Sequence, residues 1–293
     1  MIWKDSRVKN WIRETNARWL CFPGGISFAV PEKYNQPCLT SLLQNFDESL
    51  EKSRLLKQSK TTTAGLVSGY SGSESLFLKR TNNKGLKFTL RYLFRPARAF
   101  RATLAAAALE KCGIPTPSVL AVGEKRSGLL LHAGYIVTDS QPGITGVDSL
   151  FGAMEKPMDF LFSFLPEAAS AMAVLHKANV VHGDLKLSNF YSTGGMSGPF
   201  GIWDLDSVRF YASIPPREKI ERELGRLIAS CLSSLPTENT DCDLLLSQLT
   251  DFLISAYSRI SGIPLVPERE GVTAWARFHY LHMVRRAGKA GVQ

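Results

Sequence analysis

The chain has 293 residues, 44% hydrophobic and 21% charged, with a formal net charge of +9. That length admits one large domain or two lobes, and the composition excludes a disordered or low-complexity protein. No apolar run reaches the roughly 18 residues a membrane-spanning helix needs, so a spanning helix is excluded at this level, while the positive charge favours an anionic partner.

In chain order, the first 56 residues mix turn signals at Pro23-Gly24-Gly25, Pro31 and Pro37 with a helix expected over 42–56, and they carry no assignable chemistry. Runs of β type at 64–70 and 75–79 read as a hairpin that ends on Lys79. Arg95-Pro96 opens a helix expected over 97–112, stopped by Gly113 and the strand-favouring Ile114-Pro115-Thr116-Pro117. Strands are expected at 119–122, 128–132 and 135–138, then a turn segment from Asp139 to Gly143. After it the chain becomes mainly helical, which puts a lobe boundary between 140 and 141: a β-rich N-lobe over 1–140, with an extension over 1–60, and a helical C-lobe over 141–293.

Leu161, Phe164, Leu165, Ala168, Ala169, Met172 and Leu175 keep a 3.6-residue period, so a buried amphipathic helix is expected to end near Asn179. Further helices are expected over 216–235, 241–260 and 273–286. The start of the chain lacks the order of a secretory signal, and the five cysteines form no Cys-x-x-Cys pair, so a cytoplasmic protein with reduced thiols is the expectation.

The segment from Val180 to Phe190 contains His182, Asp184, Lys186 and Asn189 in the pattern h-h-H-x-D-x-K-x-x-N-h, the spacing of a kinase catalytic loop. Phosphoryl transfer needs those residue types together. Asp184 can orient and accept the proton of an acceptor hydroxyl, Lys186 can neutralise charge on the transferred phosphoryl group, and Asn189 can reach a magnesium ion. Gly201-Ile202-Trp203-Asp204-Leu205-Asp206 follows a short hairpin later, and Asp204 is the candidate second metal ligand; Mg2+ commonly takes one or two protein carboxylates beside phosphate oxygens and water. Lys79, at the end of its strand, matches the lysine that holds the α- and β-phosphates of ATP. His182 reads as a packed loop residue, since Asp184 already fills the acid–base role. Lys79, Arg80, Lys84, Lys87, Arg91, Arg95, Arg98 and Arg101 form a basic cluster that could dock an anionic acceptor or membrane surface, although a solvated face is the commoner meaning of such a run.

Phe77-Leu78-Lys79, Arg95-Pro96-Ala97-Arg98-Ala99, Gly113 to Pro117, Tyr135 to Thr138, His182 to Lys186 and Asp204-Leu205-Asp206 together resemble the bacterial lipopolysaccharide core kinase family, in order from about Ala64 to Leu227. The resemblance implies an α+β, bilobal protein-kinase-like fold and an ATP- and Mg2+-dependent kinase that phosphorylates a sugar hydroxyl, on heptose or 3-deoxy-octulosonic acid (Kdo), of the lipopolysaccharide inner core. It implies work on the cytoplasmic face of the inner membrane, with direct membrane contact left open and no nucleic acid partner. By position it makes Lys79 the phosphate anchor, Thr138, Asp139 and Ser140 the adenine-facing hinge, Asp184 the base, and Asn189 and Asp204 the metal ligands. Glu223 falls where a carboxylate braces the catalytic loop.

The chain departs from the kinase pattern in three places. The helix over 97–112 offers no glutamate before Glu110 to pair with Lys79; no G-x-G-x-x-G lies between Thr61 and Leu76, leaving Gly65, Gly69 or Gly72 to cover phosphates; and Asp204-Leu205-Asp206 stands for D-F-G, so a constitutively arranged site is expected. No Ala-Pro-Glu follows, which favours a small or glycan acceptor over a peptide. A protein or small-molecule kinase of the same fold and a pseudokinase scaffold are the alternatives.

Overall fold

Seven strand-forming runs build one antiparallel sheet: β1 (Arg18–Phe22), β2 (Ile26–Val30), β3 (Arg54–Ser59), β4 (Thr62–Ser71), β5 (Glu74–Asn82), β6 (Val119–Ser127) and β7 (Leu130–Asp139). Their order across the sheet is β1-β2-β6-β7-β5-β4-β3. The computed structural model describes residues 5–71, 74–83, 85, 89–90, 92–140, 144–153, 155–192, 200–235, 241–263 and 267–290. Gly72, Lys84, Lys87, Arg91 and the turn residues 141–143 singled out in the sequence lie outside them. The chain divides into two compact units, Met1–Ala108 with Pro117–Gln141, and Leu109–Thr116 with Pro142–Gln293.

In the first unit, α1 (Ser6–Glu14), α2 (Pro37–Gln44), α3 (Phe46–Glu51) and α4 (Arg98–Lys111) accompany the sheet. Alternation along each strand sends one set of side chains to each face. Leu76 and Leu78 of β5, Tyr135 and Val137 of β7 and Phe28 of β2 meet Leu39 and Leu43 of α2 and Phe46 and Leu50 of α3 in a buried cluster. Phe46 and Tyr135 pack edge to face at 4.9 Å between ring centroids, a favoured aromatic geometry. Residues 18–60 therefore complete the sheet and its core.

Two local expectations are corrected. The helix expected over 42–56 is α2 and α3, broken at Asn45 (φ −111°, ψ 33°), followed by β3. All six β3 residues are exposed; their apolar pattern carries no strand signal, and pairing with β4 decides the outcome by satisfying the backbone. The two strands expected at 128–132 and 135–138 are one strand, β7. Gly134 reads locally as a break, but it sits within the ladder because helix α4 starts against it: a Cβ there would lie 2.9 Å from the Ala97 Cβ.

The second unit contains β8 (Ile144–Thr145), α5 (Gly146–Gly152), α6 (Pro157–Lys177), β9 (Val180–Val181), β10 (Phe190–Ser192), β11 (Phe200–Ile202), β12 (Arg209–Phe210), α7 (Arg217–Ser233), α8 (Cys242–Ser261) and α9 (Arg269–Ala290). The periodic apolar face of α6 is buried from Phe160 to His176. Phe164 meets Phe190 and Phe200 edge to face at 5.1 and 5.0 Å, and Phe162 meets Phe252 of α8 at 4.9 Å. By length and composition α6 is apolar enough to cross a bilayer, correcting the sequence-level exclusion, but half of that apolar window is buried in the protein. It is the core helix of its unit. Helices α7 and α9 approach closely at Gly225, where a Cβ would stand 2.7 Å from the Ala276 backbone nitrogen.

Candidate active site

The loop between β9 and β10 is held from below by one face of α7. Glu223, Arg226 and Ser230 follow an i, i+3, i+7 spacing, so they line up along the helix. Each takes one point of the loop. Glu223 Oε1 accepts from the Gly183 N–H at 2.5 Å, Arg226 Nη2 forms an ion pair with the Asp184 carboxylate, and Ser230 Oγ accepts from the Leu187 N–H at 2.8 Å. Gly183 has φ +80°, and a Cβ there would stand 2.8 Å from the Ser207 carbonyl oxygen, so only glycine fits this turn.

Glu223 is braced in turn. His176 Nε2 donates to Glu223 Oε2 at 3.0 Å, and the Tyr257 hydroxyl lies 2.8 Å from His176 Nδ1, which links α8, α6 and α7 to the loop. Burial alone would push the Glu223 carboxyl up; the His176 hydrogen bond, the electrostatic influence of the neighbouring His176 and His182 rings and the Gly183 N–H together hold it below the usual carboxylate range. A buried acceptor thus stays ionised because each of its oxygens has a donor.

A second set of contacts joins the loop to Asp204. Trp203 stacks on Tyr191 at 4.9 Å, its N–H donates to the Asn189 carbonyl at 3.1 Å, and its indole Nε1 donates to the Ser188 carbonyl at 2.9 Å. The buried His182 donates from Nε2 to the Trp203 carbonyl at 3.0 Å and accepts from the Asp184 N–H on Nδ1 at 3.4 Å. His182 therefore ties strand to loop, as a packed residue would. Asn189 is buried, and its Nδ2 donates to the Asp184 carbonyl at 2.8 Å. That bond fixes the amide so that Oδ1 is the atom a cation would use. Asp204, the next residue after Trp203, adopts the left-handed region at φ +57°, ψ 53°. An aspartate tolerates this conformation better than most residues, and strained backbone of this kind clusters at functional sites.

Asp184, Asn189 and Asp204 are thus brought to one end of the β10–β11 hairpin. The donor set is an amide oxygen and a carboxylate, hard oxygen ligands that suit Mg2+ completed by phosphate oxygens and water. Among the described residues no cluster of three or more His, Cys, Asp or Glu side chains could hold a metal ion. Lys186 is half-buried beside them in extended backbone, and its carbonyl accepts from the Asn189 N–H at 2.8 Å.

The remaining site residues lie in the first unit. Leu76 and Leu78 point into the aromatic cluster, so Phe77 and Lys79 face the other side of the sheet. Across the register Phe77 opposes Thr138 and Lys79 opposes Ile136, which puts Lys79 and Thr138 on the same face. Asp139 and Ser140 are less available than their hinge position implies. The Asp139 N–H donates to the Ser118 carbonyl at 3.1 Å, Asp139 Oδ1 accepts from the Ser118 N–H at 2.7 Å, and the Ser140 N–H donates to the Ser75 carbonyl at 3.0 Å. Gly65 is occupied by packing, since a Cβ there would fall 2.0 Å from Ser53 Oγ. The turn joining β3 to β4 contains no glycine: Ser59 Oγ accepts from the Thr61 and Thr62 N–H groups at 3.4 and 3.1 Å.

Arg226, Trp203, Ser230 and the His176–Tyr257 pair escaped the sequence reading. Only the α7 face left a legible trace, in the spacing of Glu223, Arg226 and Ser230.

A family model described as the lipopolysaccharide kinase (Kdo/WaaP) family matches residues 49–248, a span that contains every site residue named above except Tyr257. Among curated proteins no sequence match is found. A solved structure described as WaaP in complex with acyl carrier protein aligns with a TM-score of 0.59 at 16% identity, covering 90% of this chain and 98% of that one. The likeness is one of fold, and that fold is kinase-like.

Proposed function

Because the chain belongs to the lipopolysaccharide kinase (Kdo/WaaP) family, we propose a residue-level route for its phosphoryl transfer. The protein is a phosphotransferase that acts on a core sugar of lipopolysaccharide, and a kinase of this family uses ATP. In our reading Asp184 accepts the proton of the sugar hydroxyl as its oxygen forms a bond to the γ-phosphorus and the bond to the ADP oxygen breaks. Lys186 neutralises charge on the transferred group. Asn189 and Asp204 would hold Mg2+, which would supply charge neutralisation to the transferred group. Lys79 and Thr138, on one sheet face, contribute the phosphate anchor and a wall of the nucleotide site. Since the Asp139 and Ser140 N–H groups are engaged within the sheet, these residues serve the base through other atoms. The β3–β4 turn, with Lys60, Thr61 and Thr62, takes the phosphate-covering place that a glycine-rich loop holds elsewhere.

The acceptor we favour is heptose or Kdo of the inner core, reached on the cytoplasmic face of the inner membrane by peripheral contact. One observation carries the catalytic part of this reading: Asn189 bridges the Asp184 backbone and the Trp203–Asp204 segment by two hydrogen bonds, so the proposed base and metal ligands are tied to one another.

The test incubates wild-type and Asp184→Asn protein with MgATP and dephosphorylated core oligosaccharide, a generic protein acceptor in parallel, and follows added phosphate by mass spectrometry. Transfer to the core by wild type, lost by orders of magnitude in the variant with nucleotide binding retained, is the expected result. Equal turnover by the variant would remove Asp184 as base, and labelling of protein alone would replace the glycan acceptor.

A further inference from the structure

Beyond Lys79, the basic run of the first unit has a structural setting that the proposed phosphoryl transfer does not use. Residues 75–109 contain eight Lys or Arg and no Asp or Glu. Within this stretch the side chains of Leu90 and Phe94 are 59% and 69% exposed, and at the tip of the β6–β7 hairpin Leu129 and Leu130 are 40% and 45% exposed. Isolated exposed apolar residues are ordinary, whereas a cluster of them with a charged rim marks an interaction surface.

A buried guanidinium fastens the segment that carries Phe94 to the turn that carries Leu129 and Leu130. Arg126 Nη1 donates to the carbonyls of Tyr92 and Leu129 at 3.1 and 2.8 Å, and Nη2 donates to the Arg95 carbonyl at 2.7 Å. Segment 92–95 and the hairpin tip are thus fastened to one side chain. Glu124 neutralises it, with Oε1 2.7 Å from Arg126 Nε, and also accepts from the Ala97 N–H at 3.2 Å. Upstream, the Asn83 N–H donates to the His132 carbonyl at 3.0 Å, and Asn83 Nδ2 donates to the Leu131 carbonyl at 3.1 Å and to Thr89 Oγ1 at 2.6 Å. Tyr92 is buried as the inward anchor. The chain is therefore fixed at Asn83, Tyr92 and Arg95, and Leu90 and Phe94 are presented outward between fixed points. A buried ion pair with this many backbone partners would be a costly way to build an unused loop.

We propose that Leu90, Phe94, Leu129 and Leu130, with Arg95, form a docking surface for an anionic phospholipid bilayer. Apolar tips on two adjoining turns enter the headgroup–acyl boundary, and Arg95 meets the lipid phosphates. The charge is complementary over the whole stretch, and turns that project into solvent suit a deformable surface better than they suit a partner helix, which needs a groove. The inference extends the peripheral contact named above to a specific surface, and it stands or falls separately from the catalytic assignment.

The experiment uses the full chain with vesicles of phosphatidylethanolamine and phosphatidylglycerol, against vesicles of phosphatidylcholine, in a flotation assay. Wild type is expected to float with the anionic vesicles only, and less at high salt. Leu90→Ser with Phe94→Ser, and separately Arg95→Glu, should each lower the bound fraction at least tenfold, with unchanged circular dichroism. The Leu90→Ser with Phe94→Ser variant should phosphorylate water-soluble core oligosaccharide as wild type does. Flotation of the variants equal to wild type, equal binding to neutral vesicles, or capture of an acidic protein with no vesicle binding would each overturn the proposal. Loss of solution turnover with flotation intact would instead strike the catalytic reading.

Discussion

Arg226 of α7 forms an ion pair with Asp184, the proposed base, and the side chains of both are about a quarter exposed at 25% and 27%. The guanidinium also approaches His279 Nδ1 of α9 at 3.4 Å. One arginine therefore connects Asp184 to α9. Its effect is to fix the direction in which the carboxylate points, and catalysis is sensitive to small misplacements of such a group.

Arg226→Ala should lower kcat by about 10- to 100-fold, roughly 1.4 to 2.8 kcal/mol of transition-state stabilisation, with KM for MgATP changed little. Arg226→Lys should recover only part, because an ammonium cannot reproduce the planar fork. Steady-state kinetics on both variants checks this; a kcat equal to wild type in Arg226→Ala would show that the loop alone positions Asp184.

Asp204→Ala should remove the Mg2+-dependent part of nucleotide affinity and leave metal-free binding in place, since a hard oxygen ligand is lost and the fold contacts of Trp203 remain. Calorimetric titration with ATP, with and without Mg2+, measures the difference. Equal MgATP affinity would take Asp204 out of the metal site.

Glu223→Ala should destabilise the protein by about 3 to 5 kcal/mol, because it leaves His176 and the Gly183 N–H buried without their acceptor. The pH dependence has a definite sign. The folded carboxyl is held below its ordinary value of 4.5, so its contribution is present above that value and is lost as the pH falls through the lower folded value. Denaturant titrations of wild type and variant between neutral and acid pH should converge at the acid end.

His279 is pulled from 6.5 down to about 4, by burial first and then by Arg226, Arg222 and His282. Trp275 stacks on its ring at 5.7 Å, and its Nε2 is buried with no hydrogen-bond partner among the described residues. Between pH 6.5 and about 4 the unfolded chain binds a proton here that the folded chain does not, so stability falls as the pH drops through that window. His279→Phe should flatten that part of the stability profile, and thermal unfolding at half-unit pH steps would reveal an unchanged slope if another group is responsible.

The sequence by itself determined the candidate residues whose spacing is local. Asp184, Lys186 and Asn189 lie on one loop, Asp204 follows after a short hairpin, and the long helix α6 declares itself through a 3.6-residue apolar period. Those signals need no knowledge of distant neighbours. Only the tertiary structure decided the rest, because it depends on groups far apart in the chain. The β3 run became a strand because β4 offered it a ladder, and the N–H groups of Asp139 and Ser140 were engaged because Ser118 and Ser75 lie beside them. Arg126 gathered Tyr92, Arg95 and Leu129 through backbone carbonyls, which every residue carries and no sequence pattern marks. The Arg226–Asp184 pair joins residues 42 positions apart, and only the packing of α7 beneath the loop brings those charges into contact.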